Sequence, residues 1–176
     1  NNERKRRLQT DGQSSVTRSI AHAVVLKDRD LFFLSEQDGS VPLKGDHGLG
    51  LYYHDCRYLS GYEFKLGAAK PTILVCTGMS GFGATLVLTN PYLRINNREL
   101  IRKDEIGIKL ERLLDNDEPA LRDVFTFRNY GPEALEFPIH FVVGSSFEPL
   151  FAVRGLLGQK LGYRCPPSWQ DGRLRL

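Results

Sequence analysis

The side chains with the most reactive chemistry lie close together between positions 47 and 56. They are His47, His54, Asp55 and Cys56. Imidazole, carboxylate and thiolate groups are the usual ligands of zinc. Neighbouring residues of a strand point to opposite faces of a sheet, however, so the consecutive residues His54, Asp55 and Cys56 cannot converge on one ion. We therefore predict no metal site and no bound cofactor.

A nucleophilic cysteine is the second chemistry to consider. Cys56 lies two residues from His54 in the sequence, but no oxyanion element and no third, orienting group can be identified. Cys56, Cys76 and Cys165 are odd in number, widely spaced and without a CxxC pair, which argues against a disulfide framework. We predict that Cys56 is a small packed residue and that the protein resides in a reducing cytoplasm.

Carboxylates could support glycoside hydrolysis, which requires two of them facing each other about 5 to 9.5 Å apart. Asp46, Asp55 and Glu148 are the acids in unusual local contexts, and sequence spacing does not bring any two of them together. Asp55 and Arg57 are two residues apart on a segment predicted to be extended, so they share a face. We predict that they form a structural ion pair or anchor backbone groups, and that the chain holds no catalytic residue.

Glycine and aromatic residues are the remaining candidates for binding chemistry. The glycine-rich stretches 45–50 and 78–83 lack the lysine and the strand-turn-helix context of a phosphate loop, so both are predicted to be ordinary loops. Aromatic rings could stack on sugars, but alternating aromatics on strands more often belong to a core, and the core is favoured here. The rings concerned are Tyr52, Tyr53, Tyr58, Tyr62, Tyr92 and Trp169.

Short apolar runs with period-two alternation predict strands from about Ile20 onward. These strands would position the candidate residues named above. Asn90-Pro91 and the charged segment 115–119 read as turns. Asp171-Gly172 is a hairpin signal so near the last residue that we expect the natural polypeptide to continue. The predicted strands cover 23–26, 31–34, 58–66, 72–76, 84–89, 106–111, 125–128 and 135–143.

Eight or so strands without a long helix predict an all-β fold, an antiparallel β-sandwich. A length of 176 residues suits one domain with a substantial core. We assign residues 20–176 to the sandwich and residues 1–19 to a flexible basic tail.

The charge pattern bears on the kind of partner. Residues 3–11 carry four basic and two acidic side chains, +2 of the formal net charge of +3, which leaves the remainder nearly neutral. No basic stripe with aromatic readers is present, so we predict no nucleic-acid binding. No apolar run approaches the length of a membrane span, so we predict no membrane partner.

Four segments, taken in order, resemble the N-terminal domain of bacterial-type glycogen debranching enzymes, the amylo-α-1,6-glucosidase family. The first, LYYHDCRYLS at 51–60, is similar to a Gly-Leu-(Tyr/Phe)-x-x-Asp-x-Arg-x-Leu-Ser pattern. The resemblance covers about residues 24–162. The other three segments are LTNP at 88–91, FTFRNYGPEALEFPIHF at 125–141 and FAVRG at 151–155.

The resemblance implies a supersandwich-like N-terminal domain, followed in the same polypeptide by a helical (α/α) toroid that carries the general acid and base. Family members usually have acids where this chain has Ser146, Pro149 and Ala152, so Arg154 has lost its nearest expected partner and Glu148 is the candidate to replace it. The matching motif positions are expected to serve structure or an interface. They are Tyr53, Asp55, Arg57, Arg128, Asn129, Glu148 and Arg154.

The leading hypothesis is a non-catalytic N-terminal sandwich of a debranching-type α-1,6-glucosidase. Its partners would be the catalytic helical domain of the same polypeptide and branched α-glucan. The alternative is a stand-alone carbohydrate-binding sandwich that uses exposed tyrosines and Trp169. A third hypothesis, glycoside hydrolysis by the chain alone, has no candidate carboxylate pair.

Overall fold

The computed structural model describes residues 22–79, 81–95, 99–156 and 165–176. The predicted basic tail over residues 1–19 lies outside the described residues. Every strand pair in the described part is antiparallel. The predicted all-β fold is confirmed, and the sheets are arranged as expected for a sandwich.

The first sheet contains five strands in the order β1-β2-β3-β4-β13. Its second strand alternates buried and half-buried residues, with Leu31 and Phe33 directed into the core. The strands of the first sheet are β1 (Val24–Asp28), β2 (Leu31–Ser35), β3 (Gly50–Tyr53), β4 (Cys56–Leu59) and β13 (Glu148–Pro149).

The second sheet contains four strands in the order β11-β10-β7-β6. Burial alternates along the whole of β10, and its inward residues run from Ile106 to Leu114 with Arg112 among them. β1 and β2 of the first sheet contact β10 across the core. The strands of the second sheet are β6 (Thr72–Met79), β7 (Gly83–Thr89), β10 (Ile106–Asp115) and β11 (Ala120–Asn129).

A two-stranded ribbon of β5 (Gly61–Leu66) and β12 (Ile139–Gly144) forms a sheet of its own. Phe64 of β5 packs against Phe125 of β11 with ring centroids 4.7 Å apart, and Phe141 of β12 joins the same aromatic cluster. Two further hairpins are formed by β8 (Leu93–Ile95) with β9 (Glu99–Ile101) and by β14 (Ser168–Gln170) with β15 (Arg173–Arg175).

The single described helix, α1 (Leu150–Val153), is one turn long. It follows β13 directly in the sequence, and the amide of Leu150 donates to the carbonyl of Asp55 at 2.7 Å. Within the described ranges, no helix has the length and apolar character needed to cross a membrane.

Most predicted strands and turns are confirmed, and three predictions are wrong in detail. The segment 58–66 is not one strand, since the chain breaks at Ser60 and passes from the first sheet into the ribbon. The strand predicted over 135–143 begins only at Ile139. The ends of the loop predicted over 78–83, Gly78 and Gly83, belong instead to the strands β6 and β7.

Candidate functional site

The candidate site lies on the outer face of the first sheet, where the hairpin β3–β4 meets β13 and α1. The turn of this hairpin consists of His54 and Asp55, with φ of +45° and +61°. Two successive residues with positive φ form a type I′ turn, which matches the twist of the flanking strands. Asp55 is thus an exposed turn residue and not part of an extended strand.

Of the two roles predicted for Asp55 and Arg57, the ion pair is not formed, whereas Arg57 does bind backbone carbonyls. Arg57 pairs instead with Glu148, which lies opposite it in the β4–β13 register. Because Asp55 occupies the turn, the two-residue spacing no longer places it on the face of Arg57. Arg57 and Glu148 are 91 residues apart in the sequence, so no local pattern could reveal their pairing.

Arg57 also fixes the loop 42–49, which covers this face of the sheet. Its Nη1 donates to the carbonyl of His47 at 2.7 Å, and its Nε donates to Ser146 Oγ at 3.2 Å. Tyr52, which stacks on Phe32 at 4.7 Å between ring centroids, donates its hydroxyl to Gly48 O at 2.9 Å. These donors satisfy carbonyls of a loop that is too irregular to pair with a strand.

His47 completes the attachment of the loop. Its Nε2 lies 2.8 Å from the carbonyl oxygen of Pro42, and its Nδ1 accepts the amide of Leu49 at 3.3 Å. This pattern requires the neutral ring with the proton on Nε2. Both ring nitrogens are therefore occupied by the backbone of the loop.

Burial raises the pKa of Tyr52, and the positive charges of Arg57 and Arg154 partly offset that rise. Burial also raises the pKa of the Cys56 thiol. A nucleophilic cysteine requires the opposite shift. In the part of the chain that the structure describes, no three of the histidines, cysteines and acids are grouped so as to hold a metal ion.

Gly50, which precedes the 51–60 segment, and a β-bulge within that segment shape the backbone of the hairpin. Leu51 pairs with Leu59 and Tyr52 pairs with Arg57, which leaves Tyr58 as the extra residue of the bulge. Gly50 has φ +142°, and a Cβ there would overlap the carbonyl oxygen of Leu59. Only glycine fits that position, because the bulged strand approaches its backbone so closely.

The remaining predicted site residues fall into two places. Tyr53 lies beside His54, with ring centroids 4.0 Å apart, and is partly buried against the core. Arg154 ends α1, donating its amide to Leu150 O at 3.0 Å, while Gly155 at φ +72° closes the turn. The FAVRG segment is therefore a helical turn with its C-terminal cap. Glu148 was expected to replace the lost partner of Arg154, and it forms an ion pair with Arg57.

Arg128 and Asn129 lie elsewhere, at the end of β11 in the second sheet. The Asn129 side chain accepts the amide of Gly131 at 2.8 Å and donates to Glu133 O at 2.7 Å, which closes the turn after the strand. The guanidinium of Arg128 lies 5.1 Å from the ring centroid of Tyr130. The structure thus separates these two residues from the hairpin site.

A second arginine site, between the sheets, was missed by the sequence analysis. Arg112 is 1% exposed and binds Asp123 through two hydrogen bonds, 2.8 Å from Nε and 2.7 Å from Nη2. Its Nη1 donates to Gly39 O at 2.7 Å, and Tyr62 donates to the same carboxylate at 2.7 Å. The alternation from Ile106 to Leu114 could have revealed it, because Arg112 occupies an inward position.

A family model described as the N-terminal domain of (some) glycogen debranching enzymes matches residues 26–176. Searches of the curated proteins and of the solved structures found no match. The family model covers well over half of the chain, so the chain belongs to the family of N-terminal domains of glycogen debranching enzymes.

Proposed function

We propose that this chain is the non-catalytic N-terminal sandwich of a debranching-type α-1,6-glucosidase, which positions a helical catalytic domain of the same polypeptide and contacts branched α-glucan. The proposal rests on the observation that the residues of the hairpin motif have structural roles. Arg57 and Tyr52 hold a loop, Gly50 permits a bulge, and Asp55 forms a turn. Each of these residues therefore stabilises the conformation of the backbone around the hairpin.

Two carboxylates, those of Glu63 and Asp123, are bound by basic side chains, which agrees with a structural role for both. Glu63 is ion-paired with both Lys65 and Lys70, and the hydrogen bond from Lys70 is the largest of the effects that hold its pKa below the usual value. Asp123 is held by Arg112. A glycosidase needs one carboxylic acid that keeps its proton, which requires a raised pKa and not a lowered one.

The proposed cytoplasmic location rests on the cysteines. Cys56, Cys76 and Cys165 are all free thiols. Such thiols persist where glutathione and thioredoxin keep the environment reducing. Fractionation of cells that express the natural gene, with detection by an antibody against this chain, tests the location.

Activity measurements on two proteins test the positioning role. The purified 176-residue chain is expected to release no glucose from a branched dextrin. The natural polypeptide is expected to release glucose and, when residues 1–176 are removed, to lose thermal stability and most of its activity. Glucose release by the chain alone, or an unchanged truncated enzyme, would contradict the proposal.

A stand-alone carbohydrate-binding module is the second candidate, and exposed aromatic rings favour it. Trp169 on the hairpin β14–β15 is 71% exposed. The two candidates differ in what the gene encodes after this chain. A polypeptide that ends without a catalytic domain, yet binds α-glucan, would establish the second candidate in place of the first.

A further inference from the structure

Two aromatic rings meet on the surface next to the pair of Arg57 and Glu148. Tyr58 and Phe147 have ring centroids 5.8 Å apart and an angle of 86° between their planes. This is the edge-to-face geometry that aromatic pairs prefer. Tyr58 is 44% exposed and Phe147 is 40% exposed, so both rings remain accessible to a ligand.

Two irregularities of the backbone bring these rings together. Tyr58 is the extra residue of the β3–β4 bulge, and a bulge redirects the side chain that it carries. Phe147 has φ +50°, a conformation that bulky residues rarely adopt and that costs about 1 kcal/mol or more. A strained backbone that presents an exposed ring is a feature more typical of binding sites than of a solvent-facing loop.

The backbone on both sides of the pair is tied down. Ser145 donates its hydroxyl to the carbonyl of Tyr58, and the amide of Ser60 donates to Gly144 O at 2.8 Å. Glu148 follows Phe147 in the sequence and Arg57 precedes Tyr58. These two neighbours, Glu148 and Arg57, are paired in the β4–β13 register. The two rings are thus held on anchored segments, which reduces the ordering cost of binding a ligand.

We propose that Tyr58 and Phe147 form a stacking platform for a glucosyl unit of an α-glucan. The apolar C–H face of the sugar would contact the rings. The side chain of Glu148, 42% exposed and adjacent in sequence to Phe147, would accept hydrogen bonds from sugar hydroxyls. The inference rests on the proposed function, since it assumes that the parent protein handles α-glucan.

A protein partner is the competing occupant of this surface. Stable protein interfaces bury about 800 Å² on each partner, which is far more than two half-exposed rings provide. Charged and hydroxyl groups also flank the rings, with Arg57, Glu148 and Ser146 next to them in the chain. A small aromatic surface bordered by polar groups fits a neutral, hydroxyl-rich ligand better than a protein.

Titration of the 176-residue chain with panose, followed by NMR, tests the platform. Panose is a trisaccharide that contains one α-1,4 and one α-1,6 linkage. We expect shifts of the Tyr58 and Phe147 ring signals and millimolar affinity. Tyr58→Ala and Phe147→Gly are each expected to weaken binding about tenfold, the effect of removing a central contact.

The choice of Phe147→Gly keeps the test independent of folding. Glycine adopts φ +50° readily, so the variant loses the ring while it relieves the backbone strain. Phe82→Ala is the matched control, because it removes a ring that is 44% exposed, as Tyr58 is, from the turn before β7. It is expected to leave the affinity for panose unchanged.

Two results of the titration would overturn the platform: no shift of the ring signals at tens of millimolar panose, or shifts centred on Trp169. An unchanged affinity of Phe147→Gly for panose would also overturn it. So would burial of both rings by an attached catalytic domain in the absence of sugar. Failure of the proposed function is distinguishable. It would appear as glucose release by the chain alone or as a truncated enzyme with full activity, and neither result alters the titration.

Discussion

Among the residues that the structure describes, two arginines are buried and bind carbonyls and a carboxylate, and they serve different layers of the molecule. Arg112 lies between the sheets with its guanidinium also 4.6 Å from the ring centroid of Phe33. Arg57 lies on the outer face of the first sheet beneath the loop 42–49. Their partners differ in exposure: the side chain of Asp123 is 11% exposed and that of Glu148 is 42% exposed.

This difference indicates what each arginine stabilises. Two charges taken out of water must be paired with good geometry, and the loss of one leaves the other uncompensated. Arg112 therefore has to be present for the two layers to close over Asp123. Glu148 can be rehydrated if Arg57 is lost, so Arg57 mainly determines the conformation of the loop.

Replacement of Arg112 has the largest expected effect. Arg112→Met leaves the buried carboxylate of Asp123 without its cation and the carbonyl of Gly39 without its donor. We expect the free energy of unfolding to fall by about 3 to 5 kcal/mol, measured by urea denaturation.

Two further variants separate charge from packing at this site. Arg122→Ala removes an exposed arginine from the neighbouring strand and is expected to change stability by less than about 0.5 kcal/mol. Arg112→Met combined with Asp123→Leu removes both charges and is expected to recover much of the loss. If the double variant is no more stable than Arg112→Met alone, the buried carboxylate is not the cause.

Replacement of Arg57 has the next largest expected effect and a more local one. Arg57→Met removes the hydrogen bonds to His47 O and Ser146 Oγ as well as the pair with Glu148. We expect a loss of about 2 kcal/mol. Hydrogen exchange of the Leu49 amide should rise more steeply than the global loss of stability explains.

A control on the same face makes the comparison sharper. Lys44→Met alters an exposed residue of the same loop and should change neither the stability nor the exchange of Leu49. Equal acceleration of exchange in the core strands and in the loop would contradict a local role for Arg57. The two arginines would then act alike in spite of their different positions.

Hydrophobic alternation made much of this fold predictable. Ile106, Ile108 and Leu110 alternate with polar residues and correctly placed β10, while Asp171-Gly172 correctly placed a hairpin. The turn at His54-Asp55 was missed because the stronger turn signal, a glycine after the aspartate, is absent there. Its backbone conformation is set by the strands on both sides.

The chemistry of the site was less predictable for physical reasons. The partner of Arg57 is supplied by β13, a strand of two residues that has no pattern of its own. Arg112 interrupts an apolar alternation, and a charged residue is expected to be exposed unless a partner is known. In both cases the carboxylate that makes burial possible comes from another strand, and its identity follows only from the register.

The smallest expected effect concerns two tyrosines, one at each arginine. Burial raises the pKa of Tyr62 far above its usual value, and the neighbouring charge of Asp123 adds to the rise. In the unfolded chain the phenol loses its proton near pH 10, whereas the folded state retains it to higher pH. The contribution of Tyr62 to the free energy of unfolding is therefore fully present below about pH 10 and is lost as the pH rises beyond it.

Tyr62→Phe is expected to cost about 1 kcal/mol at neutral pH, because the hydrogen bond to Asp123 is lost, and to remove most of the decline in stability above about pH 10. Tyr52→Phe should remove a smaller part, since Arg57 and Arg154 oppose the rise in its pKa. Urea denaturation at a series of alkaline pH values measures both, with Tyr92→Phe as an exposed control. An equal contribution from Tyr52 and Tyr62 would mean that the outer site is as strongly desolvated as the interior one, and the contrast between the two arginines would not hold.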